Sequence, residues 1–223
     1  MYSVVALGGS VVNVDKPERI KETAEILRNG LDSGLKICVV VGGGPTARRY
    51  INVARNLGTP ETLLDEMGIA VTRLNAMLLG AALGLHDLHV PETPVEAARI
   101  VRRNGVAVCG GTHPGHTTDA VAAMIAELLE GPLVIVTNVD GVYDKDPSEP
   151  GARKLRELRP EELEELAVRA ELKAGGSFVV DPLAAKMISR GQIVTHVVSW
   201  EDFRSRGLEN VVRGRHNGTI IEG

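Results

Sequence analysis

Short apolar segments alternate with helix-like segments along most of the chain. The apolar segments are predicted to be strands at residues 3–7, 36–41, 106–109, 133–137 and 193–199. Residues 133–137 are rich in β-branched side chains, as a buried strand of a parallel sheet should be. This alternation predicts an α/β fold, a three-layer α/β/α sandwich around a largely parallel central sheet.

The helices are predicted from apolar periodicity and from residues that start or stop a helix. Pro45 and Pro160 stand where a helix begins, and Gly34 and Gly58 stand at or just beyond a helix end. The predicted helices are residues 18–33, 45–57, 63–83, 94–104, 118–130, 160–173 and 182–190. A short extended piece is predicted at residues 88–90, and two short strands around a turn at 210–213 and 219–221.

The chain is long enough to bury one large core, and no low-complexity linker divides it. It has 223 residues, of which 43% are hydrophobic. That size fits one large domain or a domain with a lobe. We expect a single domain over residues 1–223, with approximate halves at residues 1–130 and 131–223.

Composition argues against a nucleic-acid or membrane partner. Lys and Arg total 25 against 29 Asp and Glu, and 2 Phe, 1 Trp and 3 Tyr offer little stacking surface for bases. The N-terminal strand lacks the basic region of a signal peptide, and no apolar run approaches the roughly 20 residues that span a bilayer. Cys38 and Cys109 lie in predicted strands, where core thiols are favoured over a disulfide or a metal pair. A cytoplasmic protein is expected.

Two strands end in glycine-rich segments, at the edge where open parallel sheets bind ligands. The segment Gly8-Gly9-Ser10 allows close approach of a phosphate to the backbone, although a tight turn explains it about as well. Gly42-Gly43-Gly44 precedes a helix that carries Arg48 and Arg49 in its first turn, where the helix dipole disfavours cations. A bound polyanion removes that conflict, and phosphate binding is favoured for Arg48 over a solvated pair with a carboxylate. Arg49 is left undecided.

A third junction, Gly110-Gly-Thr-His-Pro-Gly-His-Thr-Thr-Asp119, joins a strand to a helix and predicts an anion site at the helix N-terminus. Thr117 or Thr118 can cap that helix, and Asp119 can stabilise its first turn. Capping does not explain the glycines or the pair His113 and His116. A metal site at these histidines is disfavoured, because no Cys or carboxylate cluster stands at zinc spacing.

The fourth junction, residues 137–147, leads from a strand into polar residues and a glycine turn. It can hold a flat heterocycle by stacking on Tyr143, and an ordinary polar loop is an equal alternative. Asp65, at the entry to a long apolar helix, can cap that helix or accept ribose hydroxyls. None of the glycine runs is a nucleotide P-loop, and Gly42-Gly43-Gly44 is not a full dinucleotide fingerprint.

Together the motifs resemble the amino-acid-kinase superfamily and are most similar to archaeal uridylate (UMP) kinases. The resemblance runs in order from Gly8 to the C-terminus. Its segments are GGS, GGGPTARRYI, DEMGIAVTRLNAMLL, GGTHPGHTTDAVAA, TNVDGVYDKDP, DPLAAK and HNGTIIEG. The fourth and fifth of these are the most specific, and the match covers nearly the whole chain.

The resemblance implies ATP-dependent phosphorylation of UMP to UDP in pyrimidine nucleotide synthesis, by a hexamer built from dimers. It implies Mg²⁺ carried by the nucleotide phosphates rather than held by protein ligands. Arg48 and Asp181 are the implied catalytic residues. ATP is expected at Gly9, Ser10, Gly44, Arg48, Thr137, Asn138, Tyr143 and Asp146. UMP is expected at Gly43, Asp65, His113, Pro114, Gly115, His116, Thr117, Thr118 and Asp119.

One departure from the family pattern concerns positive charge. Many relatives carry lysine two residues before the first glycine of the N-terminal loop, where this chain has Ala6. Our hypothesis is that Arg48, Mg²⁺ and the backbone N–H groups of residues 8–10 replace that charge. Lys186 is a possible helper, although an exposed helix lysine is favoured.

Three alternatives remain from the sequence. A non-catalytic nucleotide-binding or storage member of the same fold is kept open by Ala6. A small-acid or phosphate kinase of the superfamily is disfavoured, because amino-acid acceptors need a carboxylate and amine site. A dinucleotide-binding oxidoreductase is disfavoured by the missing fingerprint.

Overall fold

The computed structural model describes residues 1–171 and 178–223. Within them the strands are β1 Tyr2–Leu7, β2 Lys36–Val41, β3 Val106–Cys109, β4 Leu133–Thr137, β5 Val142–Tyr143, β6 Lys154–Leu155, β7 Glu157–Leu158, β8 Thr195–Ser199 and β9 Thr219–Ile221. The helices are α1 Pro17–Asp32, α2 Gly44–Asn56, α3 Glu61–Leu83, α4 Pro94–Asn104, α5 Thr118–Leu129, α6 Pro160–Glu171, α7 Pro182–Gly191, α8 Trp200–Arg206 and α9 Leu208–Val211.

One seven-stranded sheet runs through the fold in the order β3-β2-β1-β4-β8-β9-β7. Its first five strands are parallel, β9 runs antiparallel to β8, and β7 is parallel to β9. Strands β5 and β6 form a separate antiparallel hairpin. The chain moves outward from β1 to β3 and then returns to the other side of β1 as β4, so the order of connection reverses between β1 and β4. Ligands in open α/β sheets bind at such a reversal.

Side chains of the central strands alternate between two cores, one on each face of the sheet. Val4 and Ala6 of β1 point into the core with α4, α5, α6 and α7. Val5 and Leu7 point into the core with α1, α3, α8 and α9. This pattern confirms the predicted three-layer α/β/α sandwich, because parallel strands must be apolar on both faces when helices cover both.

One local prediction near the C-terminus was wrong. Residues 210–213 were predicted as a strand, but helix α9 and its terminal turn occupy them. The β-branched pair at residues 211–212 favours a strand, whereas burial of Leu208 and Val211 on one side favours a helix. Residues 88–90, predicted as a short extended piece, belong to neither of the described sheets. The last two residues of the helix predicted at 160–173 lie outside the described residues.

Helix α3 contradicts the expectation that no apolar run approaches membrane-spanning length. It has 23 residues and a mean hydropathy of 1.2 over its most apolar window, so it meets the criteria of length and composition. Half of that window is buried inside the fold, where the buried face carries Thr72 and Asn75. The core helix of a soluble protein passes the same test, so α3 is weak evidence for a membrane span.

Candidate functional site

The carboxyl edge of the parallel strands gathers the glycine-rich loops and the N-termini of α2, α5 and α7. Each N-terminus exposes backbone N–H groups, which makes it attractive to anions. Helices α5 and α7 have side-chain caps, from Thr117 and Asp181. Helix α2 has no side-chain cap and no acidic residue in its first turn. Of the three N-termini, that of α2 therefore leaves its N–H groups free of a capping side chain.

The loops after β1 and β2 interlock through glycine backbones. A Cβ atom on Gly9 would overlap the backbone nitrogen and Cα of Gly44, and one on Gly44 would overlap the carbonyl of Gly9. Gly44 has φ +61°, a conformation that glycine adopts without strain. A Cβ on Gly42 would lie 2.9 Å from the backbone nitrogen of Gly9. Only glycine at these positions allows the two loops to close together beside β4.

Helix α3 holds two of the loops from inside the core. The buried Asn75 amide donates from Nδ2 to the carbonyl of Gly42 at 2.9 Å. The backbone N–H of Gly111 donates to Thr72 Oγ1 at 2.7 Å, and that hydroxyl donates to the carbonyl of Ile69 at 2.6 Å. The sequence prediction missed both α3 side chains, because apolar periodicity marks a helix face as buried without showing which loop it touches.

The predicted UMP segment folds into a tight turn whose tip is tied to α3. The N–H of His116 donates to the carbonyl of His113 at 3.2 Å, and the N–H of Gly115 donates to Asp65 Oδ2 at 2.8 Å. The two histidine rings are exposed and meet edge to face, with centroids 6.1 Å apart. Within the described ranges 1–171 and 178–223, no group of three His, Cys, Asp or Glu side chains is arranged for a metal ion.

Thr117 and Asp181 join the N-termini of α5 and α7. Thr117 Oγ1 accepts from the N–H of Ala120 at 3.0 Å and donates to Asp181 Oδ2 at 2.6 Å. The other oxygen of Asp181 accepts from the N–H groups of Leu183 and Ala184, both at 3.0 Å. The carboxylate therefore caps α7 while it binds the cap of α5. This connection brings residue 181 to the edge that carries the segment 110–119.

Asp119, in the first turn of α5, faces Asp181. Burial and then the charge of Asp181 raise the pKa of Asp119 to about 7. A carboxyl group with this pKa is half protonated near neutral pH, and a nearby cation would favour its charged form. Two carboxylates at the same edge supply the oxygen ligands that Mg²⁺ prefers.

The predicted ATP loop is organised around Asp140. The hydroxyl of Tyr143 donates to Asp140 Oδ1 and the ammonium of Lys154 donates to Oδ2, both at 2.8 Å. The bond from Lys154 holds the pKa of Asp140 below its usual value. Asp146 accepts from the N–H and the hydroxyl of Ser148, which closes a small turn. Thr137 is half-buried at the end of β4, and Asn138 is exposed.

The positively charged candidates differ in their surroundings. Arg48 and Arg49 are exposed, and within the described part of the chain neither side chain forms an ion pair or hydrogen bond. Lys186 is paired with Glu164 at 2.8 Å on the surface between α6 and α7. Ala6 is buried under α5. Among the described residues, the first two turns of α2 therefore carry two unpaired cations, Arg48 and Arg49, whereas Lys186 forms an ion pair with Glu164.

The chain is similar to known proteins over its whole length. The sequence profile of the amino acid kinase family matches residues 1–199. Uridylate kinase of Methanocaldococcus jannaschii is 48% identical, and that of Thermococcus gammatolerans 49% identical, each over 100% of both chains. The crystal structure of uridylate kinase from Archaeoglobus fulgidus has a TM-score of 0.87 and 42% identity, over 99% of this chain and 100% of that one. UMP kinase from Bacillus anthracis has a TM-score of 0.78 with 21% identity, over 99% of this chain and 95% of that one, and so shows the fold alone.

Proposed function

The chain belongs to the amino acid kinase family, among the archaeal uridylate kinases, and we propose that it transfers the γ-phosphate of ATP to UMP, giving UDP and ADP. The observation that carries the proposal is the meeting of the interlocked loops at residues 8–10 and 42–44 with the segment 110–119 at one edge of the sheet. Phosphoryl transfer brings the phosphate groups of two nucleotides close together. Their negative charges must then be neutralised, and the N–H groups and side chains at this edge can do so.

The two nucleotides are assigned to opposite sides of these loops. Gly9, Ser10, Gly44 and Arg48 are proposed to face the ATP phosphates, and Thr137, Asn138, Tyr143 and Asp146 to line the adenine and ribose site. Gly43, Asp65 and residues 113–119 are proposed to hold UMP. The bond from Gly115 to Asp65 supports the UMP assignment, since it keeps this carboxylate beside the turn.

The reaction is proposed to be an in-line displacement without a general base. An oxygen of the UMP phosphate forms a bond to the γ-phosphorus as the bond from the γ-phosphorus to the β,γ-bridging oxygen breaks, and ADP leaves with that electron pair. The attacking phosphate is already ionised near pH 7, so no side chain has to remove a proton. The work of the protein is to position both phosphates and to stabilise the developing charge.

Residues at the edge provide that stabilisation. The N–H groups at the uncapped start of α2 and the side chain of Arg48 are the proposed donors to the transferring phosphate. Asp181 is proposed as a positioning residue for the transfer centre, because its carboxylate fixes the starts of both α5 and α7. The methyl side chain of Ala6 is buried and cannot donate a hydrogen bond to the transferring phosphate, so that role is proposed for Arg48 and the N–H groups of α2.

Mg²⁺ is the proposed cofactor, carried by the nucleotide phosphates. The residues fit such an ion, since the pKa of Asp119 is raised by burial and by a second carboxylate, which a divalent cation would offset. When bound, the ion supplies positive charge to the phosphate oxygens. Asp119 and Asp181 are the side chains that would face it.

The cellular setting is proposed as pyrimidine nucleotide synthesis in the cytoplasm, by a hexamer built from dimers.

A stripe of exposed apolar side chains along α3 supports pairing of two copies, because such stripes rarely face water in a monomer. The stripe comprises Leu63, Met67, Leu74, Met77 and Leu78. Leu74→Glu is expected to lower the sedimentation coefficient, whereas Val95→Glu, an exposed site on α4, is expected to leave it unchanged. If Leu74→Glu has the same sedimentation coefficient as Val95→Glu and the parent protein, the proposed pairing of two copies through α3 is contradicted.

The decisive experiment is to incubate the protein with ATP, Mg²⁺ and each nucleoside monophosphate in turn while ADP release is followed. Release with UMP supports the proposal. Release only with another acceptor would refute the assignment of UMP. Binding of ATP without release in any mixture would favour a non-catalytic nucleotide-binding member of the family, the alternative that Ala6 keeps open.

Arg48 and Arg49 provide a matched pair for testing the transfer site. Both are exposed neighbours in α2 without a partner in the described residues. Arg48→Ala is expected to lower kcat about 100-fold, which is typical for loss of one donor to a transition-state oxygen. Arg49→Ala is expected to change kcat less than threefold. A near-normal kcat for Arg48→Ala would overturn the proposed role of this arginine.

A further inference from the structure

The hairpin that carries Tyr143 and Asp146 has little support of its own. Its strands β5 and β6 are two residues long, and they pair only with each other. An isolated two-stranded hairpin is marginally stable in water. Residues outside the hairpin must therefore hold its base in place.

The side chain of Thr219, on β9, connects the two ends of this hairpin. The N–H of Val142, in the first strand, donates to Thr219 Oγ1 at 2.8 Å. The hydroxyl of Thr219 donates in turn to the carbonyl of Leu155, in the second strand, at 2.5 Å. Thr219 is fully buried, so water cannot replace either bond.

The backbone beside this contact is shaped to receive the hydroxyl. Gly141 has φ +145°, and a Cβ at that position would lie 2.7 Å from Thr219 Oγ1. A side chain at residue 141 would therefore push the hairpin away from β9. The glycine and the threonine form one fitted contact between the hairpin and the main sheet.

Thr219 is itself fixed from the other side. A Cβ on Gly218 would overlap the carbonyl of Val197 in β8, so the turn before β9 lies directly on that strand. The N–H of Gly218 donates to Nδ1 of the buried His216 at 3.0 Å. The N–H and side-chain amide of Asn217 donate to the carboxylate of Asp202, at 2.6 and 3.0 Å. The hydroxyl therefore reaches the hairpin from a rigid support.

We propose that Thr219 is a positioning residue for the ATP side of the site, holding the base of the hairpin at residues 142–155 so that Tyr143 stays in place for the donor nucleotide. The proposal rests on the proposed function for the identity of that nucleotide. Thr219 acts through Val142 and Leu155 and does not touch the nucleotide. The UMP side does not depend on it, because α3 holds that side through Thr72 and Asn75.

The test compares Thr219→Val with Thr219→Ser. Valine keeps the shape of threonine but lacks the hydroxyl, and serine keeps the hydroxyl. Thr195→Val is the matched control, since Thr195 is also fully buried, lies on β8 opposite Ile221, and donates only to the carbonyl of Ile193 at 2.9 Å. Initial rates are measured against ATP at saturating UMP and against UMP at saturating ATP. Calorimetry with Mg-ADP alone measures donor-site affinity without turnover.

For Thr219→Val we expect about a tenfold rise in the KM for ATP and in the Kd for Mg-ADP, with the KM for UMP changed less than twofold. Thr219→Ser is expected to restore both constants to within threefold of the parent, and Thr195→Val to leave them unchanged. An equal rise in the KM values for ATP and UMP, the same rise in Thr195→Val, or no change in either donor constant would overturn the proposal. A parent protein that binds Mg-ADP but phosphorylates no acceptor would refute the proposed function and leave the calorimetric test of Thr219 intact.

Discussion

The proposed acceptor (UMP) side and the proposed donor (ATP) side of the site are built by different means. On the acceptor side, Gly43 in the loop after β2 and the segment after β3 follow buried strands of the main sheet, and side chains of α3 bond both loops. On the donor side, the hairpin at residues 142–155 lies outside the main sheet and is tied to it through Thr219. The first arrangement rests on two polar side chains of α3. In the second, Val142 is buried in the core, and the hydroxyl of Thr219 supplies the hydrogen bonds that join both strands of the hairpin to β9.

This difference leads us to expect that the two sides respond differently to substitution. Loops that are packed backbone against backbone leave no room for an added side chain, so a substitution there should affect both folding and turnover. A hairpin held at its base can shift while the sheet remains intact, so damage there should affect donor affinity first.

Gly44→Ala is expected to have the largest effect, because it strikes the packed loops directly. The new methyl group would overlap the carbonyl of Gly9, and alanine would be strained at φ +61°. We expect kcat to fall more than 100-fold and the free energy of unfolding to fall by about 2–4 kcal/mol. Turnover assays and urea denaturation measure the two quantities.

Gly58→Ala is the control for Gly44→Ala. Gly58 has φ +79°, but a Cβ there meets nothing within 4 Å. Backbone strain alone is expected to lower the free energy of unfolding by about 1 kcal/mol and to leave kcat unchanged. If both variants lose the same stability and activity, close packing of the loops is not the reason for glycine at residue 44.

Asp119→Asn tests the contact between the two sides. Asp119 lies in the segment proposed to hold UMP, and Asp181, whose charge acts on Asp119, lies in the C-terminal half of the chain. The pKa of Asp119 is raised from 3.8 to about 7 in the folded protein, so between those pH values the folded state binds more protons than the unfolded state. The free energy of unfolding therefore falls as pH rises through this interval. Asparagine does not titrate, so the variant does not lose this stability. The shift of the pKa from 3.8 to about 7 corresponds to a loss of at most about 4 kcal/mol in the free energy of unfolding above pH 7.

The variant should thus be more stable than the parent at pH 8 and should lose this advantage near pH 4. Its kcat/KM for UMP is expected to fall about 30-fold, because the charge that would face Mg²⁺ is gone. Thermal melts of the nucleotide-free protein from pH 4 to 8, paired with rate measurements, check both effects. A variant that is less stable than the parent at pH 8 would show that burial and the charge of Asp181 do not disfavour the ionised form of Asp119.

The same division limits what the sequence could predict. The five parallel strands of the central sheet and the glycine loops at their ends were predictable, because apolar runs and glycine clusters are local signals, whereas the two-residue strand β7 was not predicted. The tie from Thr219 to Val142 was not, since 77 residues separate the two positions. Helix α9 was missed because its buried positions are set by the core and not by local propensity. The assignment of nucleotides to residues came from resemblance and stays a prediction.

Thr72→Val has the smallest expected effect and is the acceptor-side counterpart of Thr219→Val. It removes the acceptor for the N–H of Gly111 but leaves Asn75 bonded to the loop after β2. Because one support remains, we expect a three- to fivefold rise in the KM for UMP, with the KM for ATP unchanged. Thr23→Val is the control, since the buried Thr23 hydroxyl bonds only within α1. A larger rise for ATP than for UMP would reverse the assignment of the two sides.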